Sequence, residues 1–264
     1  IHIAADPGMC RIGYVPSPEA IEEVKKIAAL PGITMQGIFT HFSEADIADK
    51  EWAHEQHSRF SAFIDALKGA GVTFNIHHCC NSAGTLELPD FHREMIRPGI
   101  IQYGYDASKE VLVTGTKIKP VMSLRCCITH LKTIYEGDCV GYGRHFTAKG
   151  PTKIATLPIG YADGYNRALS SKIDVIVHGV RAHQVGNICM DQCMIDVSHI
   201  PDVKVGDEVV LFGEQGSECV SADEIADTCH TIIHEITCNI NRRVPRVYVQ
   251  NGKIVQRLEY LTKS

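Results

Sequence analysis

Through residue 110 the apolar positions alternate between two periods. Short apolar blocks read as strands at 1–6 (IHIAAD), 33–42 (ITMQGIFTHF), 72–80 (VTFNIHHCC) and 93–104 (REMIRPGIIQYG). Between them lie segments of helical period. In PEAIEEVKKIAAL, Ser17 caps the start, Pro18 fills the first helical position and Pro31-Gly32 ends it. A longer helix carries Trp52, Phe60, Phe63, Ile64 and Leu67 on one face and stops at Gly69-Ala70-Gly71. A third helix opens at Asn81-Ser82. Strands that alternate with helices predict parallel βαβ units, four of them here.

Beyond residue 112 the pattern changes to β-rich segments separated by glycine turns. VMSLRCCITHLKTI, KIATLPIGYADG, IDVIVHGVRAHQVGNICMDQCMIDV and GDEVVLFG read as strands and their turns. SADEIADTCHTIIHEITCNI reads as a helix with a capping box from Ser221 to Glu224. RVPRVYVQNGKIVQRLEYL reads as a hairpin turned at Asn251-Gly252. The expected organisation is an α/β domain over 1–112 followed by a mostly β domain over 113–264.

Composition narrows the function. The 264 residues are 44% hydrophobic and 22% charged, with a formal net charge of −5. That is globular, and it argues against nucleic acid as a partner. No apolar run is long enough to span a bilayer as a helix. Eleven cysteines, an odd number without a repeated C-x-x-C, fit free thiols in a reducing cytoplasm better than a disulfide or zinc scaffold. His77 and His78 lie beside Cys79-Cys80, but neighbouring strand residues face opposite sides, so no metal site is expected there.

Chemistry concentrates at strand ends. Arg11, His41, Asn81-Ser82 and Arg97 each follow the C-terminal end of a predicted strand, and in a (β/α)8 barrel those loops surround one mouth. Pro98-Gly99 turns the chain closely, so the amides of Gly99 and Ile100, with the Ser82 hydroxyl, are candidates for a phosphate site. Ordinary capping by Ser82 and a plain loop at 98–99 explain the spacing equally well. Arg97 is either a salt-bridge partner inside the barrel or a donor to a cofactor. Tyr142, set between two glycines in VGYGRHF, is either a turn residue or a group that moves a proton.

Eight stretches in fixed order carry a resemblance: DPGMCRIG, GIFTHFSEAD, NSAGTLELP, MIRPGIIQYG, VGYGRHF, LPIGYADGYNR, GNICMDQCMIDV and INRRVPRVY. Together they resemble bacterial alanine racemase, a pyridoxal 5′-phosphate enzyme, over essentially the whole chain. The resemblance implies the C-terminal half of a (β/α)8 barrel, then a β domain, in a cytoplasmic homodimer that interconverts L- and D-alanine for peptidoglycan precursors. It implies that Tyr142 is one of two bases, delivered across the dimer interface, and that Arg97 meets the pyridine nitrogen while His41 links the two. It assigns Ser82, Gly99 and Ile100 to the cofactor phosphate, Arg11 and Met190 to the substrate carboxylate, and Tyr161 to the mouth of the site. The two-base scheme suits the chemistry, because inversion removes a proton from one face of Cα and returns one to the other. A phenol ionises near pH 10 by itself, so neighbouring cations or donors must stabilise its anion.

Departures from the family pattern qualify this reading. No stretch resembles the one that carries the family's cofactor-bonding lysine, and the chain opens directly on a strand. The first four barrel units, on the order of 120 residues of a barrel of about 250, are absent, so the expectation is a fragment that is inactive alone. Ala4 stands where some members have a lysine, and Pro7 where threonine is usual. Arg242 replaces a phosphate-binding tyrosine and is kept as a weaker phosphate contact. A serine or broad-specificity racemase, or a non-catalytic fragment, are the alternatives.

Overall fold

The computed structural model describes residues 1–110 and 118–261, and these fall into two compact units, 1–121 and 122–264. The expected boundary at 112/113 lies outside the described residues.

The first unit has three short parallel strands, β1 (His2–Ala4), β2 (Gly37–Phe39) and β3 (Ile76–His78), in the order β1-β2-β3. The helices α1 (Pro18–Ala28), α2 (Glu51–Gly69) and α3 (Ser82–Glu87) alternate with them. Ser17 caps α1 as expected, its hydroxyl accepting from Ala20 N at 3.2 Å. At α3 the cap is Asn81 rather than Ser82, with Asn81 Oδ1 accepting from Gly84 N at 2.9 Å. Val24, Phe60, Phe63 and Leu67 turn their apolar faces onto Ile3 and Ile38 and form one core.

The fourth expected strand does not form. Residues 93–99 run beside β3 with one backbone bond, Arg97 N to Cys80 O at 3.0 Å. Two causes are visible. Pro98 has no N–H to give, and the edge amide of His77 in β3 donates to the Glu94 carboxylate at 2.8 Å instead of to a strand carbonyl. The segment ends in a 3-10 turn, Ile100–Tyr103.

The second unit is mostly β. A five-stranded sheet orders β10 (Val180–His183), β9 (Asp174–Val177), β12 (Glu208–Gln215) and β13 (Glu218–Val220), with β4 (Leu124–Cys127) also on β12. A second sheet is β11 (Cys193–Asp196), β8 (Thr152–Leu157) and β5 (His130–Ile134). Two small pairs complete it: β6 (Cys139–Val140) with β7 (Phe146–Thr147), and β14 (Arg246–Gln250) with β15 (Lys253–Leu258). The last is the expected hairpin, with Asn251 and Gly252 both at positive φ (52° and 73°) as its tight turn requires. The block at 121–134 forms two strands, β4 and β5, separated at Ile128-Thr129.

The expected helix over 221–240 is also two, α4 (Ala222–Thr228) and α5 (Ile233–Asn239). His230 breaks it at φ 55°, followed by the β-branched Thr231-Ile232-Ile233. Ser221 caps α4 through Glu224 N at 3.0 Å.

Candidate functional site

In the first unit the polar residues gather where the strands end. Arg97 is the hub. Its Nη1 donates to His78 Nδ1 at 2.6 Å, and its Nη2 to the carbonyls of Thr40 and Cys79 at 2.7 and 3.3 Å. His41 Nδ1 lies 3.5 Å from Nη2, at the edge of hydrogen bonding. Among the described residues no carboxylate pairs with this guanidinium, so its charge is not cancelled.

An arginine can only donate. His78 Nδ1 is therefore the acceptor, and its proton sits on Nε2, which donates to His2 Nδ1 at 2.8 Å. The relay crosses the sheet from β1 to β3. It passes over Gly37 in β2, where an added Cβ would lie 2.6 Å from the His2 ring. His78 is 4% exposed and stacks on Phe39, ring centroids 5.2 Å apart. Burial, then the charges of Arg97, His2 and His77, push its pKa down to about 4. Burial, then Arg97 and Arg11, lower that of His41 as well. His77 faces the other way, onto Glu94, as alternation requires.

Ser82 and Gly99 meet. The Gly99 amide donates to Ser82 Oγ at 2.8 Å. The serine keeps its own hydroxyl proton to donate. Ile100 opens the following 3-10 turn, so its amide lies outside the bonds of that turn. Thr40 Oγ1, buried beside the Arg97 contact, has no partner among the described residues. The exposed Arg11 sits in a loop built by Asp6, whose carboxylate accepts from the amides of Gly8, Cys10 and Arg11 at 3.1, 2.8 and 3.1 Å.

In the second unit Tyr142 projects from the turn between β6 and β7 and is 75% exposed. Gly141 and Gly143 on either side have φ of 67° and 75°, a region closed to most side chains. Asn187 Nδ2 holds the Tyr142 carbonyl at 2.8 Å. A cavity of about 440 Å³ beside the turn is lined by Tyr142, Cys139, Lys132, Gln192 and Met194. Tyr161 and Met190 are brought together on neighbouring loops, where the amides of Tyr161 and Ala162 donate to the carbonyls of Cys189 and Met190, each at 3.0 Å. Arg242 lies over the Tyr260 ring at 5.6 Å.

Sequence reasoning missed His2, His78, Asp6, Asp163 and Arg243. Strand alternation does turn His78 inward, but nothing local marks its partner as Arg97, nineteen positions away.

Comparison with known proteins identifies the family. The profile of the alanine racemase N-terminal domain matches residues 1–107, and that of the alanine racemase C-terminal domain matches 121–248. The chain belongs to the alanine racemase family. It is 47% identical to alanine racemase 1 of Clostridium acetobutylicum over 261 residues, covering 99% of this chain and 68% of that protein. An alanine racemase structure from Clostridium difficile 630 superposes with a TM-score of 0.94 at 41% identity, covering 99% of this chain and 67% of that one. The alanine racemase of Bacillus anthracis with bound L-Ala-P gives 0.90 at 36%, covering 98% and 67%. The chain thus spans about two thirds of the length of these racemases. Their fold, a TIM-type barrel domain and a β domain, is the fold class expected from the sequence. Among the described residues no helix is long and apolar enough to cross a membrane, and the eleven cysteines are free.

Proposed function

We propose that this alanine racemase family member works with pyridoxal 5′-phosphate by a two-base mechanism in which Tyr142 is one base. The observation that carries the cofactor reading is Arg97, a half-buried cation whose acceptors are imidazoles and carbonyls. Such a group still has positive charge and donors to offer to a heteroaromatic nitrogen. The Ser82 hydroxyl and the Ile100 amide are donors of the kind a phosphate takes, and Arg242 supplies a further cation. Gly99 acts through Ser82, whose lone pair it occupies. When bound, pyridoxal 5′-phosphate withdraws electrons from the substrate Cα and makes its proton removable.

This chain's own groups do the rest. Arg97 would donate to the ring nitrogen and, holding its own proton, would leave that nitrogen unprotonated. Tyr142 Oη takes or returns the Cα proton on one face. His41, kept neutral by its surroundings, links the phenol to Arg97. Arg11 and the Met190 amide bind the substrate carboxylate, and Tyr161 closes the mouth. The exposure of Tyr142 supports a homodimer in which the partner's barrel covers its hydroxyl and excludes water. The other base is not assigned: in the first unit the lysines at 25, 26, 50 and 68 lie on or beside helices α1 and α2, away from the strand ends. Free thiols support action in a reducing cytoplasm, where D-alanine would enter peptidoglycan precursors.

Replacing Tyr142 by Phe tests the reading. Deuterium wash-in from D2O is measured from each enantiomer separately in the holoenzyme. Exchange should collapse for one enantiomer and persist for the other. Equal loss from both, or no loss, sinks the one-face role.

A further inference from the structure

Three loops of the second unit converge on one guanidinium. Arg243 Nε donates to Asp163 Oδ1 at 2.6 Å, and Nη2 donates to Asp191 Oδ1. Asp163 is 7% exposed. Its second oxygen accepts from Gly160 N at 2.9 Å, and its carbonyl accepts from Asn241 N at 2.9 Å. The loops also abut without side chains between them. A Cβ on Gly160 would lie 2.2 Å from Cys189 O and 2.5 Å from Met190 O, and one on Gly164 would lie 2.2 Å from Asn239 O.

The spacing gives this triad its meaning. Tyr161 is two residues before Asp163, Met190 is the residue before Asp191, and Arg242 is the residue before Arg243. Apart from Tyr142, each candidate contact to substrate or cofactor in this unit is therefore one or two residues from a member of the clamp. Asp191 is itself exposed, and its loop closes through Cys189 N to Gln192 O at 2.8 Å and is joined to the Tyr161 loop by two backbone bonds.

We propose that Arg243 is a positioning residue that sets the spacing of Tyr161, Met190 and Arg242, and so the width of the pocket that selects a small amino acid. The proposal rests on the reading that Tyr161 and Met190 meet the substrate. Arginine suits the task because its planar fork reaches two carboxylates at once. A lysine has one compact ammonium in place of the separated Nε and Nη2 donors, so it does not reproduce both arms in this geometry. The buried Asp163 makes the rigid arm, since an unpaired carboxylate there is costly. The exposed Asp191 makes the adjustable arm.

The experiment compares Asp191→Asn, Arg243→Lys and the double variant in the holoenzyme. Alanine KM should rise about tenfold in each single variant while kcat changes less than about threefold. The double variant should be no worse than either single one, because both lose the same arm. Serine, larger by one hydroxyl, should gain relative to alanine in kcat/KM. Amide exchange at Tyr161 and Ala162 should quicken in all three. Asp191→Asn keeps the buried pair intact, so folding is not at issue there. Unchanged exchange at those amides overturns the clamp whatever KM does, as does full additivity in the double variant. A Tyr161→Phe control separates the two readings. If its KM for alanine and serine is unchanged while exchange still quickens in the clamp variants, the substrate assignment fails and the clamp stands.

Discussion

Acidifying the protein should expose the histidine behind Arg97 as a source of stability. His78 is buried, faces the cation Arg97 and the ring of His2, has His77 beside it in the strand, and among the described residues makes no hydrogen bond to a carboxylate. Its pKa is pushed down to about 4, against 6.5 in an unstructured chain. The unfolded chain therefore binds this proton first as pH falls. The stabilisation is whole above about pH 6.5 and is lost as pH falls through the folded value near 4. Integrating between these pKa values gives a loss of about 2 kcal/mol by pH 5 and about 3 kcal/mol by pH 4, relative to pH 7. His41 and His57 shift in the same direction, so the slope of the wild type alone does not isolate His78. Replacing His78 by Asn does, since the amide oxygen can accept from Arg97 but takes up no proton. Urea unfolding of both proteins at pH 7 and pH 5 should show wild type losing about 2 kcal/mol more than His78→Asn over that interval. Imidazole 15N spectra of the folded protein should show His78 with an unprotonated Nδ1 and no titration near pH 6.5. Equal pH slopes in the two proteins, or a His78 that titrates near 6.5, would refute the argument.

Arg97→Glu should let the cofactor's ring nitrogen protonate, so that transamination rises relative to racemisation; an unchanged product ratio with cofactor bound means Arg97 does not touch the ring. Asp6→Ala removes the acceptor of three backbone amides, a loss of about 2–3 kcal/mol, and should raise alanine KM through the Arg11 loop; unaltered stability by thermal unfolding would contradict the role given to Asp6. Gly160→Ala drives a Cβ into two carbonyls and should cost about 3 kcal/mol or more, read as a lowered urea midpoint, whereas Gly150→Ala, with open space around it, should be nearly neutral. Pyridoxal phosphate added to the 264-residue chain should leave no borohydride-trapped adduct at a unique lysine; one stoichiometric modified lysine, found by peptide mapping together with turnover, would overturn the assignment of the second base.

Much of this protein was open to a reader of its sequence, because the relevant physics is local. Period in hydrophobicity separates the βα units of the first domain from the β strands of the second, since helix and strand bury one face at different spacings. Ser17-Pro18, Asn251-Gly252 and the glycines around Tyr142 act through their own dihedrals and hydrogen bonds, which sequence neighbours set. The ordered motifs marked His41, Arg97, Tyr142, Tyr161 and Met190. Tertiary structure alone decided what holds them. Residues 93–99 look like a strand until the His77 amide is seen to be taken by Glu94. That the Gly99 amide bonds the Ser82 hydroxyl is visible only in the fold. The His2–His78–Arg97 relay spans three strands, and the Asp163–Arg243–Asp191 clamp joins residues eighty and fifty-two positions apart. Charge pairing and burial depend on distance in space, and in these two networks chain separation carries no trace of it.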